Sequence, residues 1–214
     1  MGLFYQQDIN EFTRLGVWHI EEQADFFQKS VPLQREISHP NKRLQHLAGR
    51  YLLRHLFPDF PYRNILIADT RKPYVPGDSF HFSISHCGSY AAAIVSTRYR
   101  VGIDIELFTP RVERILHKFL SPFELSFLDP SAPLHHAIVC WGAKEAVYKW
   151  YGEGEMDFIR DMPLEPFAFG ETGSLVCRFS KPGRPQASLP LAFRCWEEMA
   201  MTYVATPADS FGQE

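Results

Sequence analysis

The sequence contains few cysteines, and they lie far apart. Four occur among 214 residues, and no two form a C-x-x-C pair: Cys87, Cys140, Cys177 and Cys195. Zinc sites and disulfide-stabilised secreted domains ordinarily carry cysteines at closer, paired spacings. We therefore interpret all four as buried free thiols in a reducing compartment.

The sequence also lacks a long apolar run and an excess of charge of one sign. No stretch approaches the ~20 apolar residues that span a bilayer, and the N-terminus lacks the charged-then-apolar order of a signal peptide. The formal net charge is only −3. These features predict a cytoplasmic protein with neither nucleic acid nor membrane among its partners.

A basic stripe accompanies the first amphipathic segment, residues 40–57, whose apolar spacing predicts a helix. Its apolar face comprises Leu44, Leu47, Ala48, Tyr51 and Leu52. A separate face carries Arg43, His46, Arg50 and Arg54. Such a face is commonly only solvated, but aligned like charges repel unless an anion lies among them. Both interpretations stay open from the residues alone.

Three short strands are predicted over residues 80–106, and the last of them carries two carboxylates. Its apolar residues Val101, Ile103 and Ile105 face one way, while Asp104 and Glu106 face the other. An unpaired carboxylate in an apolar segment is costly. The spacing therefore places both carboxylates within reach of one ion.

A third carboxylate, Glu145, lies in a helix predicted over residues 136–151. The residues Ile138, Trp141, Glu145 and Tyr148 step by 3, 4 and 3, which predicts an inward-facing position for Glu145 in an apolar stripe. Lys149, one turn later, either supports the helix as an i,i+4 pair or reaches a metal-held phosphate. A few carboxylates completed by phosphate oxygens are typical of Mg²⁺ sites.

Residues 83–88 (SISHCG) bring hydroxyls and an imidazole to a strand end before a glycine turn. Such a turn can bind phosphate, although a histidine there is often structural. The segment is not a nucleophile elbow, which argues against a nucleophilic hydrolase. Further helices are predicted at 111–120 and after the capping box Ser121–Glu124, and strands near 175–179, 191–196 and 199–205.

Taken in order, five motifs resemble those of the 4′-phosphopantetheinyl transferases, specifically the monomeric, double-length surfactin- and enterobactin-type group. They are residues 71–73 (RKP), 82–88 (FSISHCG), 101–106 (VGIDIE), 119–124 (FLSPFE) and 141–149 (WGAKEAVYK). Residues 42–50 (KRLQHLAGR) look like the enterobactin branch. Arg71 departs from the pattern, because the family usually has glycine before Lys-Pro.

The resemblance implies an α+β fold of two similar α/β halves with pseudo-twofold symmetry, joined near residue 100. Residues 1–100 would contact the phosphates and adenine of coenzyme A, and residues 101–214 would hold the metal and contact the carrier. Coenzyme A would bind in the cleft between them. The protein would transfer 4′-phosphopantetheine to a serine of an apo acyl or peptidyl carrier protein, releasing adenosine 3′,5′-bisphosphate.

The resemblance also implies roles for individual residues. Asp104, Glu106 and Glu145 would bind Mg²⁺ or Mn²⁺, and Lys149 would neutralise the departing phosphate. Glu145 is our candidate general base, directly or through a water. The coenzyme A contacts would be Arg43, Arg50, Lys72, Pro73, Ser85, His86 and Lys149. Lys42 and Arg54 stay open as alternatives to the two arginines.

Carrier proteins of this family are acidic helical bundles. Arg111, Arg114 and Lys118 form a basic stripe with Phe119 nearby, and we expect this surface either to contact the carrier or to be merely solvated. Two rival functions stay open: a catalytically idle paralogue that binds coenzyme A or a carrier, and a Mg²⁺-dependent nucleotide phosphohydrolase.

Overall fold

The computed structural model describes residues 2–31, 33 and 37–208. The chain divides into two compact units, Met1–Val101 and Gly102–Glu214. Each unit has a four-stranded sheet and one long helix. The chain is therefore mixed α/β, as the sequence predicts, while the pseudo-twofold relation and the roles of the two halves stay predictions.

The first unit packs its long helix against an antiparallel sheet of order β1-β2-β6-β5. The strands are β1 (Leu3–Asn10), β2 (Thr13–His19), β5 (His81–Cys87) and β6 (Tyr90–Ser96), and a separate two-stranded sheet joins β3 (Leu66–Ile67) to β4 (Pro73–Tyr74). The helices are α1 (Ala24–Gln28) and α2 (Pro40–Leu56), with a 3₁₀ turn at Tyr62–Asn64. The helix predicted over 40–57 is confirmed, because α2 buries Leu47, Ala48 and Leu52 as expected.

The second unit has a sheet of order β7-β10-β9-β8. Its strands are β7 (Tyr99–Leu107), β8 (Thr172–Phe179), β9 (Ala187–Cys195) and β10 (Met199–Pro207), and the unit boundary falls within β7. Its helices are α3 (Leu116–Phe119), α4 (Pro122–Ser126) and α5 (Pro133–Tyr151). The three late strands and the helix predicted over 136–151 are thereby confirmed.

The helix predicted over 111–120 is wrong in its geometry. A 3₁₀ segment covers Pro110–Ile115, and only the single turn of α3 follows it. Ile115 has φ −122° and ψ 5°, outside the helical region, and this residue separates the two pieces. The capping box that follows is confirmed, since the Ser121 hydroxyl accepts from Glu124 N and the Glu124 carboxylate accepts from Ser121 N.

The four cysteines are free, as the sequence predicts. Cys140 and Cys177 are buried, whereas Cys87 and Cys195 are only partly buried. The prediction that all four thiols are buried is therefore wrong for Cys87 and Cys195. Within residues 2–31, 33 and 37–208, no helix is both long and apolar enough to cross a membrane.

Candidate functional site

The site in the second unit depends on how closely α5 crosses β7. A Cβ atom at Gly102 would lie 2.0 Å from the carbonyl oxygen of Ala146 and 2.9 Å from the amide nitrogen of Trp150. No side chain fits at that distance, so glycine permits the helix and strand to approach. The crossing brings the acidic end of β7 next to the last turns of α5.

Asp104 and Lys149 form an ion pair at this crossing. The Lys149 Nζ atom lies 2.6 Å from Asp104 Oδ1 and 3.2 Å from the carbonyl oxygen of Ile103. Asp104 is only 3% exposed, and an ammonium at this distance offsets the cost of burying a carboxylate. We predicted that Lys149 would pair with Glu145 or reach a phosphate, and the structure pairs it with Asp104.

Glu106 is held by an indole that sequence reasoning missed. Trp141 Nε1 donates a hydrogen bond to Glu106 Oε1 over 3.1 Å. Burial and the nearby Asp104 carboxylate raise the pKa of Glu106, while the Trp141 hydrogen bond and Lys149 oppose that rise. The indole therefore fixes one orientation of a carboxylate that is otherwise costly to ionise.

Glu145 has the most perturbed carboxylate of the three. Burial raises its pKa to about 7, the Asp104 and Glu106 carboxylates add to the rise, and Lys149 opposes it. The structure therefore brings Asp104, Glu106, Glu145 and Lys149 within electrostatic range of one another, as the sequence predicted.

The predicted inward position of Glu145 needs a correction. Residues 136–140, 142–144, 146–147 and 150–151 of α5 are buried, whereas Glu145, Trp141 and Tyr148 are only partly buried. The helix is covered on most of its sides. Ile138, the first residue of the predicted stripe, is buried as expected, but the rest of the stripe lies on the more accessible side of the helix. This accessibility suits a site that receives a ligand.

The residues present fit a hard divalent cation in their chemistry. Three carboxylates lie near the Lys149 ammonium, and burial, followed by repulsion from the neighbouring carboxylates, raises the pKa values of Glu106 and Glu145. Across the described ranges, however, no three His, Cys, Asp or Glu side chains form a ready-made metal cluster. The ligand roles of Asp104, Glu106 and Glu145 therefore stay predictions.

A second ion pair, on the neighbouring turn of α5, was also missed. Lys144 Nζ lies 2.6 Å from Glu124 Oε1, and both side chains are 0% exposed. Lys144 also donates to the carbonyl oxygens of Phe119 and Phe158, over 2.6 and 2.8 Å. Glu124 lies in the motif 119–124 and Lys144 in the motif 141–149. Their presence in these motifs was the sequence signal that could have indicated the pair.

The basic stripe on α2 is not a solvated face throughout. Arg50 is buried, with Nη1 3.3 Å from His46 Nδ1, and its guanidinium hydrogen-bonds the buried Tyr62 hydroxyl, which sequence reasoning missed. Arg43 is partly buried and donates to Gln28 Oε1 over 3.2 Å. Of the four residues in the stripe, only Arg54 is exposed.

The remaining predicted coenzyme A contacts also lie in the first unit. Ser85 is buried and His86 is exposed, both in β5, which touches α2 so closely that a Cβ at Gly49 would lie 2.6 Å from Ile84 Cγ2. Lys72 is partly buried and precedes Pro73 at the start of β4. Their coenzyme A roles stay predictions.

The predicted carrier surface needs one correction. Arg111, Arg114 and Lys118 are exposed, but Phe119 is 0% exposed and packs edge-on against Trp141 with ring centroids 4.9 Å apart. Phe119 turns into the core, as does Leu120 after it, so Phe119 is not part of the exposed surface.

The sequence is similar to several characterised proteins. It is 34% identical over 101 residues to "4′-phosphopantetheinyl transferase" of Bacillus subtilis, covering 45% of this chain and 42% of that protein. It is 36% identical over 115 residues to "Enterobactin synthase component D" of Salmonella austin, covering 52% and 49%. For the Escherichia coli (strain K12) protein of the same name, the figures are 32% over 126 residues, 56% and 60%.

These alignments span roughly half the length of the curated relatives. Residues 100–192 match the family described as the 4′-phosphopantetheinyl transferase superfamily. That segment contains all four charged residues at the crossing of β7 and α5. The resemblance that the motifs indicate is thereby confirmed for residues 100–192, which match the model of the 4′-phosphopantetheinyl transferase superfamily.

Proposed function

We propose that the protein transfers the 4′-phosphopantetheine group of coenzyme A to a serine of an apo acyl or peptidyl carrier protein, with adenosine 3′,5′-bisphosphate as the other product. One observation carries the proposal. The matched segment brings Asp104, Glu106, Glu145 and Lys149 together where α5 crosses β7. The relatives' printed names support the same reaction class.

Asp104, Glu106 and Glu145 would hold the Mg²⁺ or Mn²⁺ ion, which supplies neutralisation of the diphosphate charge when bound. Trp141 orients Glu106 for that role through its indole hydrogen bond. Lys149 supplies a positive charge beside the departing phosphate, since phosphoryl transfer depends mainly on positioning and charge neutralisation.

Glu145 is the group that accepts the proton of the carrier serine. A general base works best when its pKa lies near the working pH, and burial raises the pKa of Glu145 to about 7. Its position on the accessible side of α5 fits this role. The proton therefore passes from the serine hydroxyl to the Glu145 carboxylate, directly or through a water.

Basic and polar residues of the first unit would bind the phosphates and adenine of coenzyme A. They are Arg43, Arg50, Lys72, Pro73, Ser85 and His86. The support is strongest for Arg50, because a buried guanidinium held by His46 and Tyr62 is an oriented cation. We further infer that the protein acts as a monomer in the cytoplasm, which four free cysteines fit.

The exposed cations Arg111, Arg114 and Lys118 would contact the acidic carrier. Reversing the charge of Arg111 and Arg114 should raise the apparent KM for the carrier and leave coenzyme A binding intact. The double variant Lys29→Glu/Arg63→Glu is a matched control, because it makes the same charge change at exposed positions of the first unit. An unchanged carrier KM in the Arg111/Arg114 variant would remove this surface from the proposal.

Mass spectrometry of a carrier protein tests the function. The protein is incubated with coenzyme A, Mg²⁺ and an apo carrier, and both carrier mass and coenzyme A are followed. A phosphopantetheine mass gain supports transfer. Loss of coenzyme A without any carrier indicates a phosphohydrolase, and no change in either indicates an idle binding paralogue.

The Glu145→Gln variant tests the assigned site in the same assay. The amide keeps the size of the side chain but accepts no proton, so the mass gain should disappear. Glu197→Gln, at an exposed turn, is the control and should react normally. Normal turnover by Glu145→Gln would refute the role of Glu145.

A further inference from the structure

Thr202 in β10 has a buried hydroxyl with an unusual environment. The residue is 1% exposed, and within the described ranges its Oγ1 has no hydrogen-bond partner. Buried hydroxyls in folded proteins almost always have one, because an unsatisfied polar atom costs free energy. The exception therefore calls for a specific explanation.

The same strand carries a second buried threonine that follows the usual rule. Thr206 lies four residues further along β10, and its Oγ1 accepts a hydrogen bond from Trp150 Nε1 over 2.9 Å. The strand and its packing against α5 can thus satisfy a threonine hydroxyl. The missing hydrogen bond of the Thr202 hydroxyl is therefore explained by the local surroundings of Thr202 and not by the strand as a whole.

That position borders Asp104. Strand β10 lies next to β7, the strand that carries Asp104. A Cβ atom placed on Gly142 of α5 would lie 2.9 Å from Thr202 Oγ1 and 3.5 Å from Asp104 Oδ2. The hydroxyl and the Oδ2 side of the carboxylate therefore border one small space, which the absent side chain of Gly142 leaves open.

The two oxygens of Asp104 face different neighbours. Oδ1 lies 2.6 Å from the ammonium of Lys149, whereas Oδ2 lies towards Gly142 and Thr202. Carboxylates that bind metals are themselves oriented by hydrogen bonds from surrounding side chains, and the loss of such a bond typically weakens metal affinity 10–100-fold. A hydroxyl is a suitable donor for this purpose.

We propose that Thr202 is a positioning residue for Asp104: once the divalent cation binds, the Thr202 hydroxyl, which makes no hydrogen bond within the described ranges, would donate one to Oδ2 and so hold the carboxylate in the orientation that binds the cation. Gly142 keeps the space for this contact free. The inference rests on the metal-ligand role of Asp104 in the proposed function. It assigns β10 a part in the site that the motifs 101–106 and 141–149 do not include.

The Thr202→Val variant tests the inference, because it removes the hydroxyl and keeps the shape of the side chain. Mn²⁺ affinity is measured by calorimetry on the full chain, without coenzyme A or carrier, and thermal unfolding is followed in a chelator. We expect about tenfold weaker Mn²⁺ binding. The melting temperature without metal should stay the same or rise, since an unsatisfied buried hydroxyl is lost.

Two further variants separate positioning from simple packing. Thr202→Ser restores the hydroxyl and should recover most of the Mn²⁺ affinity. Thr206→Val makes the same substitution on the same strand but removes the bond from Trp150, so it should lower the melting temperature and leave Mn²⁺ affinity unchanged.

Wild-type Mn²⁺ affinity in Thr202→Val would overturn the inference, and so would a loss of affinity that Thr202→Ser fails to recover. These outcomes are distinct from failure of the proposed function. A wild-type protein that binds Mn²⁺ with dependence on Thr202 but adds no mass to any carrier would support the positioning role and contradict the transfer reaction.

Discussion

Two lysines five residues apart on α5 make ion pairs of the same length in opposite surroundings. Lys144 pairs with Glu124 at 2.6 Å, and both side chains are fully buried; we call this the closed pair. Lys149 pairs with Asp104, also at 2.6 Å, but the lysine side chain is 26% exposed; we call this the open pair.

The two pairs differ in how well their charges are satisfied. In the closed pair, two backbone carbonyls also accept from Lys144, and Glu124 also accepts from Ser121 and Leu164 N. The open pair lies near two further carboxylates, those of Glu106 and Glu145, so negative charge exceeds the positive charge that Lys149 supplies. Thus the distance between the two charges does not distinguish these pairs, whereas the balance of charges and hydrogen bonds around each pair does.

The largest expected effect comes from breaking the closed pair. Lys144→Met leaves Glu124 charged and buried without a cation, so we expect a loss of about 3–5 kcal/mol in the free energy of unfolding. Chemical denaturation in a chelator measures it. Divalent cations should not restore the loss, because neither side chain is accessible.

The double variant Lys144→Met/Glu124→Gln is the control for that prediction. Removing both charges should be less damaging than the sum of the two single changes, since no uncompensated charge remains. A Lys144→Met protein within 1 kcal/mol of the wild type would show that the closed pair contributes little to stability.

The open pair should respond differently to metal. Lys149→Met removes the ammonium that pairs with Asp104, so we expect a smaller loss of about 1–3 kcal/mol in the free energy of unfolding in a chelator. Mn²⁺ should offset part of this loss, because a bound cation stabilises the folded state and replaces the missing charge. A loss that Mn²⁺ leaves unchanged would contradict the difference between the pairs. Phosphopantetheine transfer by this variant should be lost.

The pH dependence of the metal-free protein sharpens the comparison. Burial raises the pKa of Glu145 from its ordinary value of 4.5 to about 7. Glu145 therefore binds more protons in the folded state than in the unfolded state between these values, and its contribution to stability falls as pH rises from about 4.5 to about 7. Denaturation across this range should show a shallower fall for Glu145→Gln, and an identical slope would argue against the raised pKa.

The smallest effect is expected at a surface pair in the same unit. Arg178 contacts Glu165, and their side chains are 59% and 40% exposed. Arg178→Gln should cost at most about 1 kcal/mol, and less at high salt, because water and ions screen exposed charges. A loss of more than about 2 kcal/mol in denaturation experiments would mean that exposure is a poor guide to the strength of these pairs.

The features that depend on local periodicity were predictable from the sequence. The alternation along β7 placed Asp104 and Glu106 correctly, and the capping box at Ser121 located the start of α4. The helix predicted over 136–151 corresponds to α5, which begins earlier, at Pro133, and ends before Gly152, which adopts a left-handed conformation. Each of these signals is contained within one element.

The features that depend on contacts between elements were not predictable. The choice of Asp104 over Glu145 as the partner of Lys149 follows from the close crossing at Gly102. The burial of Phe119 depends on its contact with Trp141, 22 positions later in the chain. Spacing along one helix cannot reveal how many of its sides the rest of the protein covers.

The hydrogen bond from Trp141 to Glu106 has a practical consequence for spectroscopy. An indole whose N–H donates to a carboxylate changes its emission when that carboxylate is drawn towards another positive charge. The chain has four tryptophans, and Trp150 donates to Thr206 in the core. If Glu106 binds a cation as proposed, we therefore expect Trp141 fluorescence to report occupancy of the site, and comparison with Trp141→Phe would isolate its signal without any added label.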